Sequence, residues 1–192
     1  MKKLIILPLL LLISCKAQTT YPLSNYDSSN LKNNNYIQDS EGVLNPFVGT
    51  WEWTDGLSNF RIVLTKENHW KAPNDNFYED KIFGGYRYIE NGNLIIDKLS
   101  YTTSFTSNPS TWSSFSSILG GVSYPETNKL IISIYDAVKG KDCHATITLQ
   151  MNSNGIVQGH WKLQDKETSN YHGSVKQQGF SIPTDVILTK IN

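Results

Sequence analysis

Between residues 45 and 192, apolar and polar positions alternate with a period of two, and short clusters of turn residues interrupt the alternation. Phe47, Gly49, Trp51 and Trp53 share one face of the first such segment, and Asp55-Gly56 supplies a turn after it. Phe60, Ile62 and Leu64 then alternate with Arg61, Val63 and Thr65, which is how a strand with one buried face reads. Lys66 to Asn76, with Pro73 among several Asn and Asp, reads as a loop. A long strand follows over Tyr78 to Ile89, with a partner over Leu94 to Leu99. Closing them with the loop Glu90-Asn91-Gly92, a type I turn with a glycine bulge, sets Tyr88 opposite Leu94 and Tyr86 opposite Ile96. Arg87 and Asp97 become diagonal neighbours on the polar face, placed for an ion pair.

The same device recurs later. Cys143, Ala145, Ile147, Leu149 and Met151 alternate with His144, Thr146, Thr148 and Gln150, and Ser153-Asn154-Gly155 turns the chain back through Val157, Gly159, Trp161 and Leu163. Pairing Asn152 with Ile156 sets Leu149 against Gly159 and Ile147 against Trp161. Leu130 to Val138 and Asp185 to Ile191 are further strands, and Tyr171 to Gln177 is a candidate for another. Ser100 to Gly121 reads two ways. Asn108-Pro109 could cap a short helix ended by Gly120-Gly121, with Trp112, Phe115 and Leu119 on one face. The serine-rich composition disfavours a helix, and Ser113-Ser114-Phe115-Ser116-Ser117 alternates as a strand would; the expectation is a short helix or an ordered loop. Lying across a barrel mouth, this segment would be a lid. The expected fold is all-β: an antiparallel barrel or barrel-like sandwich of about 8–10 strands with at most one short helix.

The first 44 residues break the pattern. Lys2 and Lys3 precede an apolar run from Leu4 to Ile13, too short to span a bilayer as a helix and suited to a signal-peptide core. The run ends Leu12-Ile13-Ser14-Cys15. A branched apolar residue, a small residue before the cut and Cys after it resemble the bacterial lipobox. That resemblance implies cleavage after Ser14 and a diacylglyceryl thioether on Cys15, followed by acylation of its amine. Residues 16–42, rich in Asn and Ser and without an apolar period, read as a disordered tether. The predicted organisation is a signal peptide over 1–14, a lipidated Cys15 and tether over 15–44, and one barrel-like domain over 45–192. Two or more acyl chains anchor durably where one does not. Lys16, rather than Asp, follows Cys15. By resemblance to lipoprotein sorting in other bacteria this points to the outer membrane, on its periplasmic face or the cell surface.

Loss of residues 1–14 leaves 178 of the 192, enough for one domain with a real core. It removes Lys2 and Lys3, so 15 of the 17 basic residues face 17 acidic ones, and Arg61 and Arg87 are the only arginines. No basic patch suits nucleic acid. With Cys15 acylated, Cys143 has no partner for an internal disulfide, and its apolar-face position makes it a small buried hydrophobe.

Asn45-Pro46-Phe47-Val48-Gly49-Thr50-Trp51 resembles the Gly-x-Trp start of the first strand in lipocalin-like barrels. In those barrels the Trp closes one end and packs under an Arg of the last strand. Here the last strand ends Ile187-Leu188-Thr189-Lys190-Ile191-Asn192, with no Arg. A broader likeness rests on Ser14-Cys15-Lys16-Ala17-Gln18, Gly49-Thr50-Trp51, Phe77-Tyr78-Glu79-Asp80, Gly85-Tyr86-Arg87-Tyr88 and Asn91-Gly92. Through these the chain is similar over most of its length to an uncharacterised family of short Bacteroidota-type lipoproteins, a domain of unknown function. The likeness implies an exported lipoprotein with one β-rich domain and transfers no catalytic residue.

Candidate chemistry is sparse. The second hairpin sets His160 against Thr148 and His144 against Gln164, four residues apart along the ladder, or roughly 13 Å. Metal bonds of about 2 Å cannot join them. His69 and His172 have no Cys or His at ligand spacing, and the adjacent Cys143 and His144 point to opposite faces of a strand. Glu79 and Asp80 also face apart and read as a solvated strand edge. No nucleophile elbow, phosphate loop or dinucleotide fingerprint occurs, and Gly84-Gly85 and Gly120-Gly121 read as bends or bulges. No cofactor and no enzymatic activity is expected.

Aromatic residues are the remaining signal. Trp51, Trp53, Tyr86, Tyr88 and Trp161 all fall on inward faces, where they either fill a core or line a pocket. The leading expectation is a non-enzymatic, lipocalin-like module that holds a small apolar or amphipathic ligand and is tied to the membrane through lipid on Cys15. The alternative is an accessory interaction lipoprotein with a filled core that docks on an envelope protein.

Overall fold

The structure, a computed structural model, describes residues 17–100, 118–123, 126–165 and 177–191. Among the described residues the chain forms eleven strands in one sheet, nine of them from the alternating region after residue 45. They are β1 (Thr20–Pro22), β2 (Tyr36–Gln38), β3 (Gly49–Asp55), β4 (Ser58–Trp70), β5 (Tyr78–Glu90), β6 (Asn93–Asp97), β7 (Ile118–Ser123), β8 (Glu126–Asp136), β9 (Lys141–Met151), β10 (Val157–Asp165) and β11 (Asp185–Lys190). Helical structure among the described residues is limited to the 3₁₀ turns Ser28–Asn30 and Asn45–Phe47. The wall runs β5-β4-β3-β11-β10-β9-β8-β7, and β7 pairs back onto β5 to close an eight-stranded antiparallel barrel. The fold is all-β, as the alternation predicts.

Closure depends on β5. One edge pairs with β4, while the other serves β2 at Tyr78 and Glu79, β7 at Ile82 to Gly84, and β6 at Arg87 to Glu90. Gly84 and Gly85 sit where β7 gives way to β6. A Cβ on Gly84 would lie 2.5 Å from the Val63 carbonyl oxygen, and one on Gly85 2.1 Å from that of Lys98. These glycines are therefore neither bends nor bulges; they let neighbouring backbone pass close to a continuous strand.

The barrel has two distinguishable ends. The near end holds the start of β3, the 71–77 loop and the β9–β10 tip; the far end holds the β3–β4, β5–β6 and β8–β9 tips. Trp51 pairs with Lys190 at the near end, where Lys190 Nζ stands 5.5 Å above the Trp51 ring and donates to the Pro46 carbonyl at 2.9 Å. A lysine of the last strand thus covers the Trp51 ring. Burial lowers its pKa from the ordinary value.

The second hairpin has the predicted register, with Leu149 paired to Gly159, Ile147 to Trp161, Thr148 to His160 and His144 to Gln164. The first differs. Glu90 pairs with Asn93 across a two-residue turn in which Asn91 and Gly92 both have positive φ, and a bulge then sets Tyr88 opposite Ile96 and Arg87 directly opposite Asp97. Asn-Gly is the strongest two-residue hairpin turn, and the bulge returns Ile96 to the buried face beside Tyr88.

Three further expectations are corrected. Lys66 to Trp70 is strand rather than loop: β4 continues through a bulge at His69, whose φ is 55°, and Trp70 packs on Phe83. Residues 118–123, expected to end a helix or loop, form β7 because β5 and β8 offer paired edges on both sides. Residues 17–44 are not a free tether. β1 and β2 extend the sheet from β5, and Leu23, Ile37 and Leu44 join the barrel's core cluster. The order comes from contacts with distant strands, which an amide-rich local composition does not reveal. Residues 1–16, 101–117 of the 100–121 segment and 171–176 of the candidate strand, His172 among them, lie outside the described residues.

Candidate functional site

The inward rows meet at the barrel axis. Phe60 on β4 makes ring contacts with Tyr86 at 6.4 Å and Tyr88 at 6.2 Å, and with Trp161 from across the barrel at 5.4 Å. Trp51 lies against the backbone of Gly159, where a Cβ would sit 3.2 Å from the indole and 2.8 Å from Ile147. Trp51, Tyr86 and Trp161 have no exposed surface, Tyr88 is nearly buried, and Trp53 is half-buried against the same cluster.

The polar tips of these rings are used within the chain. Trp51 Nε1 donates to the Phe47 carbonyl at 2.7 Å, and Trp161 Nε1 to that of Pro183 at 2.8 Å. Tyr86 donates its hydroxyl to the Tyr135 carbonyl at 2.8 Å and accepts the Ala137 N–H at 3.3 Å. Burial pushes the Tyr86 phenol far above its ordinary pKa. A buried aromatic whose polar tip is already paired behaves as core, since a ligand would have to replace those bonds.

The chain also covers both barrel ends. At the far end, Asp136 terminates the inward row of β8 with no exposed surface. Its carboxylate accepts the Ser181 hydroxyl and N–H, together with the N–H groups of Val138 and Lys139. Beside it the nearly buried Lys141 donates to Asp165 at 2.7 Å and to the Gln177 carbonyl at 3.1 Å, with its ammonium 4.3 Å above the Phe180 ring. Residues 177–184 are thereby drawn over the mouth.

At the near end the links are Asp39 and Asp80. Asp80 accepts from the Tyr36 hydroxyl and from the N–H groups of Asp39 and His69, both at 2.9 Å. Asp39 accepts from Val43 at 2.7 Å, Leu44 at 3.1 Å and the Lys66 ammonium at 2.7 Å. Burial, then the Asp80 carboxylate, push the Tyr36 phenol well above its ordinary range. Asp80 is not part of a solvated strand edge: only 3 % of it is exposed. The sequence offered no sign of this, because its donors come from segments 11 to 44 residues away.

Outside the wall, the folded N-terminal segment and the β4 bulge enclose an open groove of about 780 Å³. Gln18, Asn30, Asn34 and Asn35 line one side, and His69 and Tyr78 the other. The two rings stack at 4.0 Å, and His69 Nε2 lies 2.9 Å from Gln18 Oε1. Cys143 is fully buried, and desolvation pushes its thiol up to about 11, which disfavours the thiolate that a nucleophile requires. His160 Nε2 lies 2.6 Å from Asp185 on the outer face.

Together these features define a closed β-barrel with an aromatic-filled interior and both mouths covered by its own chain. The chain belongs to a family of unknown function (DUF6705), whose model matches residues 1–191. No curated protein and no solved structure matches it.

Proposed function

We propose that this protein is an envelope interaction lipoprotein, anchored through lipid on Cys15 at the outer membrane, that works by docking an envelope protein on its outer surface rather than by catalysis or by holding a ligand inside the barrel. The observation that carries this reading is the interior. The rings marked by the sequence as pocket lining or core pack on one another across the axis, with their polar tips paired to the chain. The far end supplies a docking feature pointing away from the anchored terminus. Leu57 and Leu94, 75 % and 61 % exposed, stand on adjacent hairpin tips tied by the Gly92 N–H to the Leu57 carbonyl at 3.0 Å. Contiguous exposed apolar surface marks interaction sites, whereas single scattered apolar side chains do not.

In-cell crosslinking tests the reading. A discrete partner band is expected, lost in the double variant Leu57→Asp, Leu94→Asp. Native mass spectrometry of protein from its own host should show no small molecule retained in the barrel. A co-purifying apolar ligand displaced by Trp161→Ala would restore the ligand-carrier reading. The outer groove supports a second reading, in which a polar, hydroxyl-rich ligand lies along the amides and the His69–Tyr78 stack. Binding of such a ligand would be abolished by Asn34→Ala with His69→Ala.

A further inference from the structure

The near end gathers three features that the filled core leaves unused. The first is the exit of the chain. β1 runs parallel to β2 and β5, and β5 begins at the near end, so the chain before Thr20 leaves from that end. Gln18 is held there by its bond to the Asn34 carbonyl at 2.6 Å and its contact with His69. Only Lys16 and Ala17 separate it from Cys15, so at about 3.5 Å per residue the two lie within roughly 11 Å.

The second feature is the β9–β10 tip. Met151 pairs with Val157, one step beyond the Gln150–Gln158 pair that is level with Thr189 and Glu52. These two residues continue the inward-facing rows, but they stand at the rim and are exposed by 73 % and 38 %, with Ile156 at 48 %. The third feature is charge. From Ala145 to Gly159 the hairpin contains no Asp, Glu, Lys or Arg, whereas the three far-end hairpins carry Asp55, Glu90, and Lys139 with Lys141 at their tips.

We propose that the β9–β10 tip is a membrane-contact element: the near end rests on the lipid bilayer, and Met151, Ile156 and Val157 enter its interfacial layer. This rests on the lipid anchor at Cys15 proposed above. Apolar side chains gain by leaving water, and a charge in the same position would oppose entry. An acyl anchor combined with a second apolar contact holds one orientation, where an anchor on a long flexible tether would not. The far end, with Leu57 and Leu94, then faces away from the membrane.

The test uses the mature chain from Cys15, coupled through that thiol to a maleimide phospholipid in phosphatidylethanolamine–phosphatidylglycerol vesicles. The buried Cys143 leaves Cys15 as the reactive thiol. Hydrogen exchange is compared with the same chain capped by a water-soluble maleimide. Amides of 150–158 should slow several-fold on vesicles while those of 55–58 and 90–94 do not change. The double variant Ile156→Asp, Val157→Asp should abolish the slowing and leave Tm unchanged. Equal exchange at both ends, or slowing that survives the double variant, overturns the proposal. Crosslinking of the tip to a protein in cells, without slowing on pure lipid, overturns it in favour of a protein partner. Mass spectrometry of the native mature N-terminus reads the anchor separately. Absence of acyl groups on Cys15 sinks the anchor and this proposal together, whereas equal exchange with an acylated Cys15 sinks the tip alone.

Discussion

At the far end of the barrel one buried carboxylate and the Lys141 ammonium hold the cover in place, and at the near end two buried carboxylates and the Lys66 ammonium do. Asp136 collects four neutral donors, from the β8–β9 turn and from Ser181. Asp80 and Asp39 form a relay instead: Asp80 binds the Asp39 backbone, and Asp39 binds Lys66 and the turn at Val43 and Leu44. At the far end two side chains grip the cover independently, Asp136 through Ser181 and Lys141 through the Gln177 carbonyl and the Phe180 ring. The near latch is distributed, and what it secures is the N-terminal segment that packs on β4 and β5. Its integrity decides whether residues 17–44 act as part of the domain or as a leash.

Substitutions can break this comparison. Asp136→Ala should have the largest effect, about 3–5 kcal/mol, because it strands several buried donors at once. The urea midpoint measures it, with exchange of 177–184 rising in parallel. Asp80→Ala should cost less, about 2–3 kcal/mol, since Asp39 keeps its own contacts. Hydrogen exchange should show 36–45 released while β8 to β10 stay protected. If the barrel loosens together with the segment, or if Asp80→Ala costs more than Asp136→Ala, the distributed view of the near end is wrong. Gly159→Ala probes the core between the latches. Its Cβ would meet Ile147 and Trp51, so overpacking of about 1–3 kcal/mol is expected in thermal denaturation. A neutral result would mean that the interior has spare room. Lys190→Met, which keeps the stem over Trp51 and removes the charge, should cost no more than about 1 kcal/mol. Equality with Lys190→Ala would show that the stem contributes nothing there.

The two hairpins show how far local sequence carries. In the second, Asn152 precedes the loop, and its side chain accepts the N–H groups of Asn154 and Ile156, both at 2.9 Å. That local capture selects the longer loop and sets the register that the alternation predicts. In the first, Ile89 stands at the matching position two residues before the Asn-Gly pair, the Asn91-Gly92 pair turns by itself, and a bulge absorbs the offset. The turn residues are the same, but a residue that captures the loop backbone is present in only one of them. The site was less legible than the fold. The inward faces of Trp51, Tyr86 and Trp161 follow from a period of two, but whether those rings touch depends on which strands lie opposite. Asp39, Asp80 and Asp136 are ordinary acids in the sequence, and their partners are brought by other strands and turns.

What the sequence determined by itself is therefore the periodic part: strands, their buried faces, one hairpin register, and the break in pattern before residue 45. These depend on neighbours within a few residues, where side-chain alternation and turn chemistry act directly. Tertiary structure alone decided that the rings fill the barrel, that lysine covers Trp51, and that an Asn-rich N-terminal segment folds onto β4 and β5. Each of these depends on a closed sheet bringing distant residues together, where a buried carboxylate or an aromatic ring meets partners that its own stretch of chain does not contain.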